Sequence, residues 1–398
     1  MQRVVVTGCG IISALGQGLP VTLEALMSHR PGIGPLRYLA TAHSHLPCAE
    51  VPFSNAQMRS TLGIPEGAVT IRTALMGIIA LGEALESAGW NTCRPERPVF
   101  ISGTTVGGMD KSERFYNDFL TNNSRNDYIR AHDCGSCTQM IADYYGGFDM
   151  LSTLSTACSS AANAILTGAD MIRTGRTSVA VVGGSECLTR FHLNGFNTLM
   201  ILDKEPCRPF DDTRAGLNLG EGAAYLVLES AESAQKRGVK PLCLLAGCGN
   251  TCDAYHQTAS SPTGEGAFLS MKKALAEAGL LPSDIDYINA HGTGTPNNDE
   301  SEGTAIIRVF GENSVPPVSS TKSFTGHTTS ASGSIEAVIS ILALLHNFTP
   351  VNLNFKEKMA NLSFTPVTNN KPLRPLKHVL TNSFGFGGND TSCIFTKI

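Results

Sequence analysis

The sequence predicts an α/β fold assembled from two similar halves, and three observations carry that expectation. Short β-branched runs alternate with longer apolar-periodic segments along the chain, the pattern of strands separated by helices. The run VVVTGCG at Val4–Gly10 is echoed in spacing and character by CLLAGCG at Cys243–Gly249, as an internal duplication would leave it. At 398 residues, with 42% hydrophobic and only 16% charged side chains, the chain can bury a full-sized core without disulfides or metals. No flexible linker separates the halves, which are placed at residues 1–240 and 241–398 and expected to pack as one unit.

Taken in order, Arg3–Thr7 reads as a strand, Thr70–Ser87 as a helix ending at Gly89, and Pro98–Ser102 as the next strand. Residues 106–147 are more polar and irregular, with Asn122, Asn123 and Ser124 in a row. They predict loops and short helices forming a lid or cap over the core. Regular alternation resumes with a strand over Leu151–Thr156, a helix from about Ser159 to Arg173 closed by Gly175, and a buried strand over Ser178–Val182. The second half adds a helix over Phe268–Ala278, a strand over Asp286–Ala290 and a helix near Asp299–Phe310. A strand at Val318–Ser320, a strongly apolar helix over Gly333–His346 and a strand near His378–Asn382 lead to the glycine-rich turn SFGFGGND.

Composition narrows the function. Thirty basic residues against 34 acidic ones give a formal charge of −4, with no basic run able to track a phosphate backbone, which argues against nucleic acid as a partner. No stretch of about 18 uninterrupted apolar residues predicts membrane insertion. Met1–Gly10 lacks a charged region leading into a long apolar one, so a cytoplasmic location is expected. The 12 cysteines are scattered, the pattern of reduced thiols rather than of a disulfide framework. Cys134 and Cys137 have redox-motif spacing, but no second CxxC completes a zinc site. They are read as a small packed pair, and no metal is expected.

Cys158 lies in TACSSAANAI, where a strand gives way to a helix whose apolar face is Ala161, Ile165, Ala169 and Ile172. A sulfur at a helix N-terminus meets the positive end of the macrodipole and free amides, which favour thiolate and can hold an oxyanion. A small buried residue in a tight junction is the plain alternative, so the cysteine needs partners. His291 in NAHGTGT and His327 in TKSFTGHT each follow a predicted strand inside a glycine-rich turn, and strand ends of α/β proteins converge on a cleft. Lys322 precedes His327 by five residues, and Glu336 follows by nine in an otherwise apolar helix. A carboxylate there is costly unless it is paired or turned to the surface at the helix N-terminus.

With TACSS, CRPFDDTRAGLNLGEGAA, NAHGTGTP, TKSFTGH followed by Glu336, and NSFGFGG in this order, the chain resembles the two-histidine β-ketoacyl-acyl carrier protein synthases of the thiolase superfamily over almost its whole length. The resemblance implies a thiolase-like five-layered α-β-α-β-α fold from two duplicated halves, usually dimeric. It implies a decarboxylating Claisen condensation by a ping-pong route. Cys158 would take an acyl chain from acyl carrier protein, the Cys158 and Phe386 amides forming the oxyanion hole. His291 and His327 would stabilise the enolate formed when malonyl carrier protein loses carbon dioxide. Lys322 and Glu336 are expected to set the charge and orientation around His327. Thr293 and Thr295 match positions that hold the phosphopantetheine arm, and Phe386 a gating aromatic beside the cysteine. The enzyme itself would carry no cofactor, since phosphopantetheine arrives on the carrier protein.

Departures from the family pattern mark where carry-over weakens. Ala215 in RAGLN replaces a common acidic residue, and Thr328, Thr329 and Ser330 stand where apolar and glycine residues are common. Met109, Asp110 and Lys111 lie in a region that often contributes to the acyl pocket. Fatty-acid elongation is therefore weighed against a specialised type II polyketide or aryl polyene pathway. The partner expected is a homodimer mate or, alternatively, a synthase-like subunit in a heterodimer. A silent chain-length-factor-like subunit would lack the nucleophile that Cys158 supplies. A β-ketoacyl-cleaving thiolase is disfavoured by the paired His motifs. A dinucleotide-binding oxidoreductase is suggested by Gly8, Gly10 and Ser13 but lacks the third glycine. Acidic carrier protein is expected to dock on basic groups, with Arg208 and Lys204 as candidates.

Overall fold

The computed structural model describes residues 2–398. From its start the chain forms β1 (Val4–Ser13), a short return strand β2 (Gly16–Gln17), and helices α1 (Leu19–Met27), α2 (Asn55–Leu62) and α3 (Arg72–Ser87). Strand β3 (Val99–Gly103) leads into α4 (Met109–Thr121), α5 (Asn126–Arg130) and α6 (Cys134–Tyr145), then β4 (Met150–Leu154) and α7 (Ser160–Arg173). The first half closes with β5 (Val179–Glu186), α8 (Arg190–Thr198), β6 (Gly222–Ser230) and α9 (Ala231–Arg237). The second half runs β7 (Cys243–Cys252), α10 (Glu265–Ala278), β8 (Tyr287–Asn289), α11 (Pro296–Phe310), β9 (Val318–Ser319), α12 (Lys322–Thr325), α13 (Ser332–His346), β10 (His378–Gly385) and β11 (Asn389–Thr396).

The strands lie in the order β4-β3-β5-β6-β1-β7-β11-β10-β8-β9, with β2 beside β1. Read inward from either edge, the two arms repeat one topology. The pairs β4/β3 and β3/β5 are parallel, then β5/β6 and β6/β1 antiparallel; β9/β8, β8/β10, β10/β11 and β11/β7 follow the same sequence of senses. The arms join through a two-residue contact, Val5 with Leu244 and Val6 with Cys243. Helix α3 covers the outer face of one arm, α10 with α11 that of the other, and α7 and α13 fill the space between the arms and touch each other. The result is the five-layered α-β-α-β-α arrangement.

Strand alternation feeds these layers. Ala180 and Val182 of β5 enter the middle core with Ile165, Ile172, Ile335 and Ile339, whereas Val179 and Val181 pack outward with Leu75 and Tyr225 under α3. The repeated GCG runs have a packing cause. A Cβ on Gly10 would lie 2.2 Å from the Ala80 carbonyl oxygen of α3, and one on Gly249 would lie 2.1 Å from that of Ser270 on α10. In each half the strand needs glycine so that its outer helix can approach this closely. Because β1 runs straight through Gly8 and Gly10 to Ser13 and no helix starts at them, these glycines cradle a helix rather than a pyrophosphate.

Several elements differ from expectation. Residues 106–147 hold helices of 13 and 12 residues, so the region is more regular than its polar sequence suggests; α4 is amphipathic, although its one buried side chain is Lys111. Strands β1, β5 and β10 extend past their predicted ends, and β6 and β11 have no predicted counterpart. Strand β6 is buried along all nine residues, which removes the polar alternation that marks a strand. The segment Thr329–His346 is long and apolar enough to cross a membrane, yet 89% of it is buried inside the protein. All 12 cysteines are free, with Cys137 buried and Cys134 partly so. Among the described residues no group of three or more His, Cys, Asp or Glu is placed to hold a metal.

Candidate active site

Between the end of β4 and the start of α7 the chain turns sharply, with Ala157 at a left-handed φ of 51°, a conformation that L-residues other than Asn and Asp rarely adopt. The turn is tied by Ser160 Oγ donating to the Ala157 carbonyl at 2.6 Å and accepting from the Thr156 amide at 2.9 Å. Beneath it, Asn389 Oδ1 accepts from Ser159 Oγ, Asn163 Nδ2 and Asn250 Nδ2 at 2.8, 2.7 and 2.9 Å. Elements of both halves thus hold the turn, and Cys158 sits on it only 4% exposed. Burial pushes the Cys158 thiol up to about 12, against the opposing effects of Lys322 and the Phe386 amide, which donates to the sulfur. A helix N-terminus contributes up to about 2 kcal/mol in buried geometries, or roughly one and a half pKa units, so burial outweighs the helix and favours the thiol. The expected thiolate is corrected on this point.

Cys158 and His327 occupy equivalent places, each just before the middle-layer helix of its half. The two helices approach so closely that a Cβ on Gly333 of α13 would lie 2.7 Å from the Ala162 nitrogen and Cβ of α7. This approach brings His327 Nε2 to 3.0 Å from Cys158 Sγ. His327 Nδ1 lies 3.0 Å from Ser332 Oγ. The His291 ring stands 5.3 Å from that of His327, at 84° to it.

Lys322 and Glu336 form a buried ion pair, each about 1% exposed. The carboxylate therefore does not turn to the surface. Lys322 Nζ makes its histidine contact with His291 Nδ1, at 3.2 Å, and not with His327, whose ring partner is Ser332. The expected orientation of His327 by this pair is thus corrected: the pair orients His291, whose Nδ1 the Lys322 ammonium reaches. An ammonium has donors only, so His291 accepts at Nδ1 and carries its proton on Nε2. Burial, then the Lys322 charge, pull both imidazoles well below the usual histidine range, so both are neutral at physiological pH. Burial pushes Glu336 up to about 7 in spite of Lys322.

No motif marked Glu302, which accepts from the His291 and Gly292 amides at 2.9 and 2.7 Å and from Asn382 Nδ2 at 3.0 Å. Asp299 similarly takes the Gly294 amide at 3.1 Å and the Phe210 amide at 2.7 Å. Two acids one turn apart at the start of a helix, facing a glycine-rich loop, are the signal that could have marked them.

A cavity of about 360 Å³ opens onto Cys158, His291 and His327 and is lined by Thr293, Thr295 and Phe386. The two threonine hydroxyls are 2.8 Å apart, and Phe386 stacks on Phe196 with centroids 5.8 Å apart. Asp110 and Lys111 line a different, larger cavity of about 720 Å³ beside the Arg72–Glu221 pair, separate from the one that holds Cys158, His291 and His327. Arg208 is drawn back on its own loop, its Nε donating to the Thr213 carbonyl at 3.0 Å and its Nη2 3.5 Å from Asp203. Lys204 is exposed.

A buried thiol facing two neutral imidazoles across a funnel, on a duplicated five-layered scaffold, defines an enzyme of thiol-based acyl transfer. The family models agree: the β-ketoacyl synthase N-terminal domain matches residues 1–234 and the β-ketoacyl synthase C-terminal domain residues 242–356. The chain belongs to the β-ketoacyl synthase family and is a condensing enzyme of the acyltransferase type. The 3-oxoacyl-[acyl-carrier-protein] synthase 2 of Coxiella burnetii is 33% identical to it over 414 residues, covering 100% of this chain and 99% of that protein. Among solved structures, the ishigamide ketosynthase/chain length factor superposes with a TM-score of 0.91 at 30% identity, covering 100% of this chain and 99% of that one. The AntDE:AntF complex, a type II PKS acyl-carrier protein with its ketosynthase bound to the hexaketide, gives a TM-score of 0.88 at 25% identity over 100% of both chains.

Gly333→Ala is expected to force α7 and α13 apart. Its measured unfolding free energy should fall by about 1–3 kcal/mol, and acylation of Cys158 should slow about a hundredfold, the usual penalty for a misplacement of about 1 Å. Unchanged acylation in this variant would contradict the role assigned to the helix contact.

Proposed function

We propose that this enzyme is a β-ketoacyl-acyl carrier protein synthase extending acyl chains by two carbons in fatty-acid elongation. The observation that carries the reading is the set Cys158, His327 and Lys322-fixed His291 at the base of one funnel. In the first half-reaction the Cys158 sulfur attacks the carrier-bound acyl thioester. The carbonyl oxygen, negative in the tetrahedral intermediate, is held by the Cys158 and Phe386 amides. The carbon–sulfur bond to phosphopantetheine breaks, and the thiol proton passes by way of His327 Nε2 to the departing sulfur. In the second, malonyl carrier protein loses carbon dioxide, and the electron pair left behind forms an enolate whose oxygen receives hydrogen bonds from His291 and His327. The enolate carbon attacks the Cys158 thioester, forming the carbon–carbon bond and breaking the carbon–sulfur bond to release the thiolate, which takes a proton from solvent.

The two histidines are held differently for these tasks. His291 is locked as an Nε2 donor by an ammonium that cannot accept. His327 faces the Ser332 hydroxyl, which both donates and accepts, so it can act as acceptor in the first step and donor in the second. Thr293 and Thr295 are assigned to the phosphopantetheine arm, and Phe386 to gating; the enzyme keeps no resident cofactor or metal. The acyl and malonyl carrier proteins are its protein substrates. Strand β4 lies at the sheet edge, and Met150 on it is exposed. This free edge supports a homodimer, or a heterodimer with a synthase-like subunit. The enzyme is assigned to the cytoplasm as a soluble protein. A second reading, a ketosynthase of a specialised type II polyketide or aryl polyene pathway, is favoured by the 0.91 TM-score to a ketosynthase/chain length factor structure. Because Cys158 and both histidines are in place, the chain is read as an active synthase and not as a silent subunit.

Lys322→Ala leaves Glu336 buried without its partner and should lower the unfolding free energy by about 3–5 kcal/mol. With the half-reactions measured separately, it should slow carbon dioxide release from malonyl carrier protein far more than acylation of Cys158. Equal losses in both would contradict the assignment of Lys322 to His291. For docking, Lys204→Glu is the cleaner probe, because Arg208 also holds its own loop. It should raise KM for the acidic carrier protein severalfold and leave KM for a small acyl thioester unchanged, with the opposite pattern removing Lys204 from the docking surface.

A further inference from the structure

Two substrates must share the space around Cys158. On the condensing reading, the malonyl phosphopantetheine arm enters past Thr293 and Thr295 while the acyl chain is still on the sulfur, so the chain cannot lie in the funnel and must leave Cys158 toward the protein interior. That interior side carries polar groups. The turn Thr329–Ala331, two residues beyond His327, packs on β5 and on α7, the helix that starts behind Cys158. Glu186 at the end of β5 accepts from Thr104 Oγ and the Thr105 amide at 2.9 and 2.8 Å and from Ser330 Oγ, and it stands close enough to Cys158 to act on its thiol. His192 of α8, 7% exposed, is edge-on to Phe196 of the cavity wall, with centroids 6.1 Å apart, and within electrostatic reach of His327.

From Thr328 to Ser332 every hydroxyl but one is used. Thr328 Oγ meets Ser332 Oγ at 3.2 Å, Ser332 Oγ meets His327 Nδ1 at 3.0 Å, and Ser330 Oγ donates to Glu186. Thr329, 4% exposed, has a hydroxyl with no hydrogen-bond partner among the described residues. Its backbone is left-handed, with φ at 45°, an outlier for a β-branched residue, and residues held this way gather at ligand clamps and active sites. Valine would fill nearly the same volume without a buried hydroxyl, which is costly until something meets it. Thr329 also stands in the 328–330 stretch where this sequence departs from the family pattern.

We propose that Thr329 is a specificity-determining residue whose hydroxyl bonds an oxygen substituent, hydroxyl or keto, on the acyl chain held by Cys158. A threonine hydroxyl both donates and accepts, so it pairs with either group, whereas a fully saturated chain leaves it unpaired. The proposal rests on the reading of Cys158 as the acyl acceptor and adds the class of chain that the site prefers.

It is tested with acyl carrier proteins bearing octanoyl chains, unsubstituted or with a hydroxyl on the third, fifth or seventh carbon. Wild type should be acylated by one of the hydroxylated chains about tenfold faster than by octanoyl, the usual effect of pairing one buried hydroxyl. Thr329→Val, which keeps the branched shape, should erase that preference by speeding the octanoyl reaction and slowing the hydroxylated one, and Thr329→Ser should restore it. The thermal midpoint of the Val variant should equal or exceed that of wild type, because the hydroxyl it loses has no partner in the free protein. A second readout needs no turnover: in Cys158→Ala the hydroxyoctanoyl thioester of pantetheine should raise the midpoint more than the octanoyl one, a difference lost when Thr329→Val is added. Equal rates for all chains in wild type, or a preference that survives in Thr329→Val, overturns the proposal. So does a lower midpoint of the Val variant with the chain preference unchanged, which would assign the hydroxyl a structural bond. Absence of any acyl adduct, with the midpoint difference present, overturns the acyl-acceptor reading and supports the Thr329 site; absence of both overturns both.

Discussion

The close contact between Gly333 and Ala162 is the constraint on which the rest of the site depends. It lets the two middle-layer helices, one from each half, meet near their N-termini, and the residues just ahead of those helices are Cys158 and His327. The topology repeated in the two arms thus brings one helix end from each half to the same place. No side chain larger than hydrogen fits at residue 333 without moving Ala162 of α7, since a Cβ there lies at 2.7 Å. The same logic acts at the outer layers, where Gly10 and Gly249 let α3 and α10 settle on their strands.

Burial is the cost and the instrument of this arrangement. Cys158, His291, His327, Lys322 and Glu336 are all at most 4% exposed, which holds the thiol protonated and the imidazoles neutral. Neutral imidazoles can donate a hydrogen bond to a developing oxyanion without bringing a charge that the ground state would have to solvate. The positive charge nearby is on Lys322, which is balanced by Glu336 and turned toward the back of His291. Strain at Ala157 and the hydrogen bonds onto Asn389 keep the nucleophile turn in one position while substrates exchange.

Much of this was legible in the residues. Cys158 was placed at a strand-to-helix junction by the β-branched run before it and the apolar stripe after it, and both histidines by the strands they follow. The echo of Val4–Gly10 in Cys243–Gly249 reported the duplication, and the structure supplies its reason in helix packing. What the residues did not disclose depends on contacts between segments distant in sequence. Lys322 is five residues from His327 and 31 from His291, so proximity along the chain pointed to the wrong ring. Glu302 and Asp299 act on backbone amides of another loop, a role without a local pattern. Helix α4 escaped although it is amphipathic, because its polar surroundings and the Asn122–Ser124 run beside it read as loop, and β6 because it is buried along its whole length.

We propose Cys158 as the acyl acceptor of a two-step condensation. Intact-protein mass spectrometry of wild type and Cys158→Ala, after incubation with acyl carrier proteins bearing saturated and polyene chains and then malonyl carrier protein, tests it most directly. An acyl adduct is expected on wild type alone, lost when malonyl carrier protein is added as a β-ketoacyl carrier protein two carbons longer appears. An adduct that persists in Cys158→Ala, or none on folded wild type with any donor, would contradict it.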